Sequence, residues 1–266
     1  MDRPELRRVT EESARAGAAV ALERFRTDLT VERKSGKTDV VTAADRNAQQ
    51  AVVDRIHRTF PADRIYGEEA DTASEIADAG RTWIIDPIDG TNNYVRGNRR
   101  WATSVACLVD GSPVAAANVL PAMDDDYVGT ADGVTRNETG VSVSAHTDPE
   151  QFEVAPLIWW PLDRRGEYAA ATEAIVRHFG DLRRPGSAQA ALSLLAAGGI
   201  EGAITNVAAD PWDTVAGAAM VEWAGGTVTD LDGEQWEPDS RGVVASNGTA
   251  HDVVLAAANE IEAARE

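Results

Sequence analysis

Residues 83–97 read Trp-Ile-Ile-Asp-Pro-Ile-Asp-Gly-Thr-Asn-Asn-Tyr-Val-Arg-Gly. Trp83, Ile84 and Ile85 spell a short buried strand that ends in Asp86. Asp89 follows three residues on, and Pro87 stiffens the turn between the two carboxylates. Such a pair at a strand end offers hard oxygen ligands to a cation such as Mg2+, which binds a few carboxylates, waters and substrate phosphate. Gly90-Thr91 then opens the next segment, and if that segment is helical its free N–H groups form a phosphate cradle. The plain alternative is a strand, a turn and a capping Asp, because Asp and Gly are ordinary turn residues.

Upstream, Leu6, Val9, Ala14, Ala18, Leu22 and Phe25 recur at helical spacing over residues 4–27. Residues 31–41 are nearly all polar and read as an exposed, mobile loop. Thr42 is placed to cap a helix that runs to about Phe60, where Pro61 stops it. Downstream, residues 101–109, 113–120 and 126–130 read as strands, with Asp110-Gly111 a hairpin signal. Beyond about residue 136 the pattern changes. Helices are expected at 166–179, 187–198, 213–224 and 249–264, between short strands near 201–205, 227–230 and 243–246. Antiparallel strands followed by mixed α/β predict an α+β chain of stacked helix and sheet layers rather than a doubly wound nucleotide-binding fold. The 266 residues suit one domain, with an N-terminal α+β half (about 1–135) and a C-terminal α/β half (about 136–266).

The net charge of −19 argues against a nucleic-acid partner, which requires a basic face. It also repels anionic substrates, so a phosphate site here needs local positive charge, most simply metal ions. Only Lys34 and Lys37 are lysines among 25 basic residues. An acid-rich, Lys-poor surface resembles that of proteins from salt-loving archaea, and an Arg-rich, high-GC coding sequence would give the same bias. No apolar run spans a bilayer, and the charged N-terminus is unlike a secretory signal, which predicts a soluble, cytoplasmic protein without membrane contact. The single Cys107 lies in an apolar strand pattern and reads as a packed thiol. The four histidines have no metal-ligand spacing.

Three further segments bear on Asp86 and Asp89. Gly67-Glu68-Glu69 follows the apolar Ile65-Tyr66. Asp210-Pro211-Trp212-Asp213 opens a helix, with Pro211 suited to its first turn and Asp210 to its cap. Asp213 lies among small apolar residues, where a carboxylate needs a partner. Asp45 falls in the helix after Thr42.

Taken in order, GEE (67–69), WIIDPIDGTNNYVRG (83–97), GSA (186–188) and DPWDTVAGAAMVEWAGGTVTDLDG (210–233) make the chain resemble the inositol monophosphatase family of Mg2+-dependent, lithium-sensitive phosphatases, which includes archaeal fructose-1,6-bisphosphatases. The resemblance covers nearly the whole chain. It implies a layered α-β-α-β-α sandwich and a homodimer. It implies that Glu68, Asp86, Asp89, Asp213 and the Ile88 carbonyl bind two or three Mg2+. Thr91 would orient the attacking water, Glu68 would accept its proton, and Asp45 would help hold the water or a third ion. The amides of Gly90 and Thr91 would hold the phosphate. Asp89, Asp213, Gly186, Ser187 and Asn206 would face the substrate, Asn206 standing where relatives often carry an acidic residue against a sugar hydroxyl. Either Lys34 or Lys37 would supply the basic character of the loop before Asp39. The implied reaction is hydrolysis of a small polyol or sugar phosphate such as inositol 1-phosphate by metal-activated water. Fructose 1,6-bisphosphate, 3′-phosphoadenosine 5′-phosphate and histidinol phosphate are the alternatives. A regulatory protein that has lost catalysis would lack some of these carboxylates; here all are present.

Overall fold

The computed structural model describes residues 3–27, 31–33, 40–69, 76 and 79–265. The chain opens with α1 (Arg3–Arg24), a short hairpin of β1 (Val31–Arg33) and β2 (Val40–Thr42), and α2 (Ala43–His57). Then come β3 (Arg64–Gly67), β4 (Arg81–Asp89), the one-turn α3 (Thr91–Val95), β5 (Ala102–Val109), β6 (Ser112–Leu120), β7 (Asp125–Thr130), β8 (Gly133–Arg136) and β9 (Thr139–Val141). The second part consists of β10 (Glu153–Pro156), α4 (Arg165–His178), β11 (Asp181–Leu182), α5 (Ala188–Ala196), β12 (Gly202–Thr205), α6 (Pro211–Trp223), β13 (Thr227–Thr229), β14 (Val243–Ser246) and α7 (His251–Ala263).

A seven-stranded sheet runs in sequence order from β3 to β9, antiparallel except for the parallel β3–β4 pair. A five-stranded mixed sheet has the order β11-β10-β12-β14-β13. The pleat sends alternate residues to opposite faces, and that alternation builds the layers. Trp83, Ile85, Val105 and Cys107 face one way and pack on Leu6, Val9 and Ala14 of α1 and Val52 and Ile56 of α2. Ile84, Ala102, Ala106 and Leu108 face the other way onto Leu192, Leu195, Val215 and Met220 of α5 and α6. The same core cluster takes in Ala203 and Ala245 of the second sheet. The far side of that sheet gives Val154, Ile204 and Val244 to Ile175 of α4 and Val254 and Ile261 of α7. The layers are therefore helix, sheet, helix, sheet, helix, as expected.

One expectation changes. Where a loop is expected over 31–41, Val31–Arg33 and Val40–Thr42 pair as antiparallel strands, an arrangement that a polar sequence without apolar alternation conceals. Lys34, Lys37 and Asp39 lie outside the described residues. Trp160 is buried while its neighbour Trp159 is 45% exposed.

Candidate active site

The site gathers where β4 ends against α5 and α6. Asp86 pairs with Ser104 of β5 and Asp89 with Ala102, so three steps on β4 match two on β5. That extra residue is a β-bulge. Strict alternation would put Asp86 and Asp89 on opposite faces, and the bulge returns both to the face toward α5 and α6. Thr103 holds the bulge by donating its hydroxyl to the Pro87 carbonyl at 2.8 Å. The Ile88 amide donates to Asp86 Oδ1 at 3.0 Å. Gly90 follows at φ 89, with its Cα so close to Gly186 and Ser187 that a Cβ would stand 3.0 Å from Ser187 Cβ and 3.1 Å from Gly186 O. Only glycine meets both demands.

Asp89 is held by the N-terminus of α5. Its carboxylate accepts from the amides of Gln189 at 2.7 Å and Ala188 at 3.2 Å, and from the Ser187 hydroxyl. Burial raises the Asp89 carboxyl, and the Ser187 hydroxyl and helix amides pull it back toward the charged form. Asp213 lies in the first turn of α6 behind the Asp210-Pro211 start, its amide donating to Asp210 O at 3.0 Å. Carboxylate oxygens of Asp86, Asp89 and Asp213 all lie within 4.8 Å of one another. Burial first, then the charges of Glu68, Asp89 and Asp213, push the Asp86 carboxyl well above the ordinary carboxylate range. Asp213 is raised in the same way, by burial and then by Asp89 and Glu68. Crowded acids of this kind are what a divalent cation neutralises, and their all-oxygen character suits a hard ion.

Glu68 follows β3, its amide bonded to Ile85 O at 3.2 Å and its side chain hydrogen-bonded to Asp86. Gln49 of α2 clasps the next residue, accepting from the Glu69 amide at 3.0 Å and donating to its carbonyl at 3.2 Å. Tyr66 packs on Trp212, ring centroids 5.4 Å apart, and so joins the Glu68 strand to the helix that carries Asp213. Asp45 is buried in the first turn of α2. The Thr91 hydroxyl lies 3.1 Å from Ile88 O and 3.5 Å from Asp45 Oδ1.

Glu68, Asp86, Ile88, Asp89, Gly90, Thr91, Asp45, Gly186, Ser187 and Asp213 are thus brought to one place. Two expected substrate contacts are otherwise engaged. The Ser187 hydroxyl is spent on Asp89 and on the amide of Ala190 at 3.0 Å, which it caps. The Asn206 carboxamide is buried, accepting from the Trp160 indole at 2.7 Å and donating to Glu167 and to Glu262. Gln49 and Gln189 support the site without a motif that points to them. The only sign of Gln189 is a polar residue in the otherwise apolar, small-residue start of a helix.

The model of the inositol monophosphatase family matches residues 2–263. A fructose-1,6-bisphosphatase/inositol-1-monophosphatase of Thermotoga maritima is 34% identical over 233 residues, 87% of each chain. An inositol-1-monophosphatase of Bacillus subtilis is 32% identical over 242 residues, 90% of this chain and 91% of the other. The solved structure of a Thermotoga maritima IMPase superposes with a TM-score of 0.86 at 30% identity, each chain fully covered. The bulged Asp86–Asp89 strand, the Asp213 helix and this likeness over the full length lead to one conclusion: the chain belongs to the inositol monophosphatase family and is a phosphoric monoester hydrolase.

Proposed function

We propose that the chain hydrolyses the phosphate monoester of a small polyol or sugar, with inositol 1-phosphate the leading substrate and Mg2+ the cofactor. The observation that carries this reading is the convergence of Asp86, Asp89 and Asp213 oxygens within 4.8 Å. Glu68, Asp86, Asp89, Asp213 and the Ile88 carbonyl would hold two Mg2+, and Asp45, 3.5 Å from the Thr91 hydroxyl, would help with a third. Bound there, Mg2+ would neutralise phosphate oxygens and lower the pKa of water. Thr91, between Ile88 O and Asp45, orients the attacking water in line with the phosphorus. Glu68 takes its proton. The Gly90 and Thr91 amides point their N–H groups at the phosphate oxygens.

Fructose 1,6-bisphosphate is the second reading, favoured by the double name of the Thermotoga maritima relative. Among the described residues no helix is long and apolar enough to cross a membrane. We read the two sheets as one catalytic domain, since they share a core cluster. We read the chain as a homodimer, supported by the exposed Trp159 and Leu162, and as salt-adapted, supported by its charge. The test is Mg2+-dependent phosphate release from inositol 1-phosphate, fructose 1,6-bisphosphate, 3′-phosphoadenosine 5′-phosphate and histidinol phosphate, at low salt and in molar KCl. Release that disappears in Asp89→Asn supports the reading, and the substrate ranking chooses between its forms. No metal-dependent release from any of them by folded protein overturns it.

A further inference from the structure

Gln189 touches the settings of two acidic residues at once. It is fully buried. Its main-chain amide donates to Asp89 Oδ2 at 2.7 Å. Its side-chain amide donates to the carbonyl of Trp212, the residue before Asp213, at 2.8 Å. Its side-chain oxygen accepts from Asn118 Nδ2 of β6 at 2.9 Å, and the same Asn118 amide lies 3.0 Å from Ser193 Oγ. A buried carboxamide is costly unless its bonds are made, and here they cross-link β6, α5 and α6. The surroundings are cut to fit it. A Cβ on Gly217 of α6 would stand 2.8 Å from Gln189 Oε1. Asn118 Oδ1 is buried without a hydrogen-bond partner. A tie made only for stability would be better built from apolar side chains.

We propose that Gln189 is a positioning residue that sets the separation of Asp89 and Asp213 and thereby tunes the site toward Mg2+. The inference rests on the metal-dependent reading above. Mg2+ demands near-octahedral geometry with short bonds, whereas Ca2+ accepts longer and more variable ones. A carboxylate pair released from its spacer should therefore lose Mg2+ more than Ca2+. A residue that merely supports the fold would lower both together.

The experiment is calorimetric titration of Mg2+ and of Ca2+ into EDTA-stripped protein without substrate. The proteins are wild type, Gln189→Met, and Gln189→Met/Asn118→Leu, the last leaving no orphaned amide and so protecting the fold. The expected result is Mg2+ affinity weakened by roughly 10-fold in both variants, in the range for residues that orient metal ligands, with a smaller change for Ca2+. In an Asp213→Asn background, Gln189→Met should cost no further Mg2+ affinity. An unchanged Mg2+ to Ca2+ preference in the double variant, melted in EDTA to show that it is folded, overturns the proposal and leaves the phosphatase reading standing. Wild type that takes up neither ion overturns both.

Discussion

Gly90 carries two constraints that no other residue satisfies together, a left-handed backbone and contact with Gly186 and Ser187. Gly90→Ala should cost about 1–3 kcal/mol from the strained backbone alone, lowering the melting midpoint. It should also abolish phosphate release by moving the Thr91 amide. Activity and melting, measured together, check this; an active, equally stable variant would refute it. His251 offers a pH-dependent case away from the site. It opens α7, with Thr229 Oγ1 2.9 Å from Nε2 and Ser246 Oγ 2.8 Å from Nδ1. Burial lowers its pKa below the ordinary histidine value. The folded state then binds fewer protons than the unfolded one, so this stability is present above about pH 6.5 and is lost as pH falls toward the lower folded value. Denaturant unfolding between neutral and mildly acidic pH should show a smaller fall in stability for His251→Gln than for wild type.

Between elements, α5 and α6 approach closely. A Cβ on Gly217 would stand 2.5 Å from Leu192 Cβ. Helix propensity alone favours Gly217→Ala by up to about 1 kcal/mol. Overpacking, at about 1–3 kcal/mol, should outweigh that gain and leave a net loss of up to about 2 kcal/mol, read by urea unfolding. The main elements are legible because their signals are local. Asp110 and Gly111 take positive φ as the hairpin signal requires, and the apolar alternation of residues 102–120 gives β5 and β6 nearly to their ends. The strands β3, β8, β10 and β11 are two to four residues long, too short for a period of two to show. The metal-ligand candidates are equally plain, since a carboxylate in an apolar helix start or strand end stands out. Their supports are not. Gln49 grips a peptide 20 residues away and Gln189 bonds to Asp89 across 100, and neither relation leaves a mark in the local pattern. The partners of Asn206 are equally silent in sequence: Trp160, Glu167 and Glu262 are brought to it by tertiary packing.

Across the whole molecule, the candidate ligands lie on β4 of the first sheet and on α6, which packs between the two sheets. A bound ion should therefore staple the layers as well as serve chemistry. Mg2+ at about a hundred times its dissociation constant would add about 2.7 kcal/mol, which at this chain length raises the melting midpoint by roughly 5–10 °C. EDTA should reverse the shift. Asp213→Asn should abolish most of it while melting higher than wild type in EDTA, because one of the mutually repelling carboxylates is gone; scanning fluorimetry reads both effects. The same layout has a consequence for synthesis. A chain leaving the ribosome presents Asp86 and Asp89 more than a hundred residues before Asp213. The seven strands of the first sheet can pair while α5 and α6 are still being made, yet Asp89 gains its helix cap and its acidic neighbour only when those helices dock. The enzyme would thus stay inert through most of its own translation and switch on only once those helices have docked.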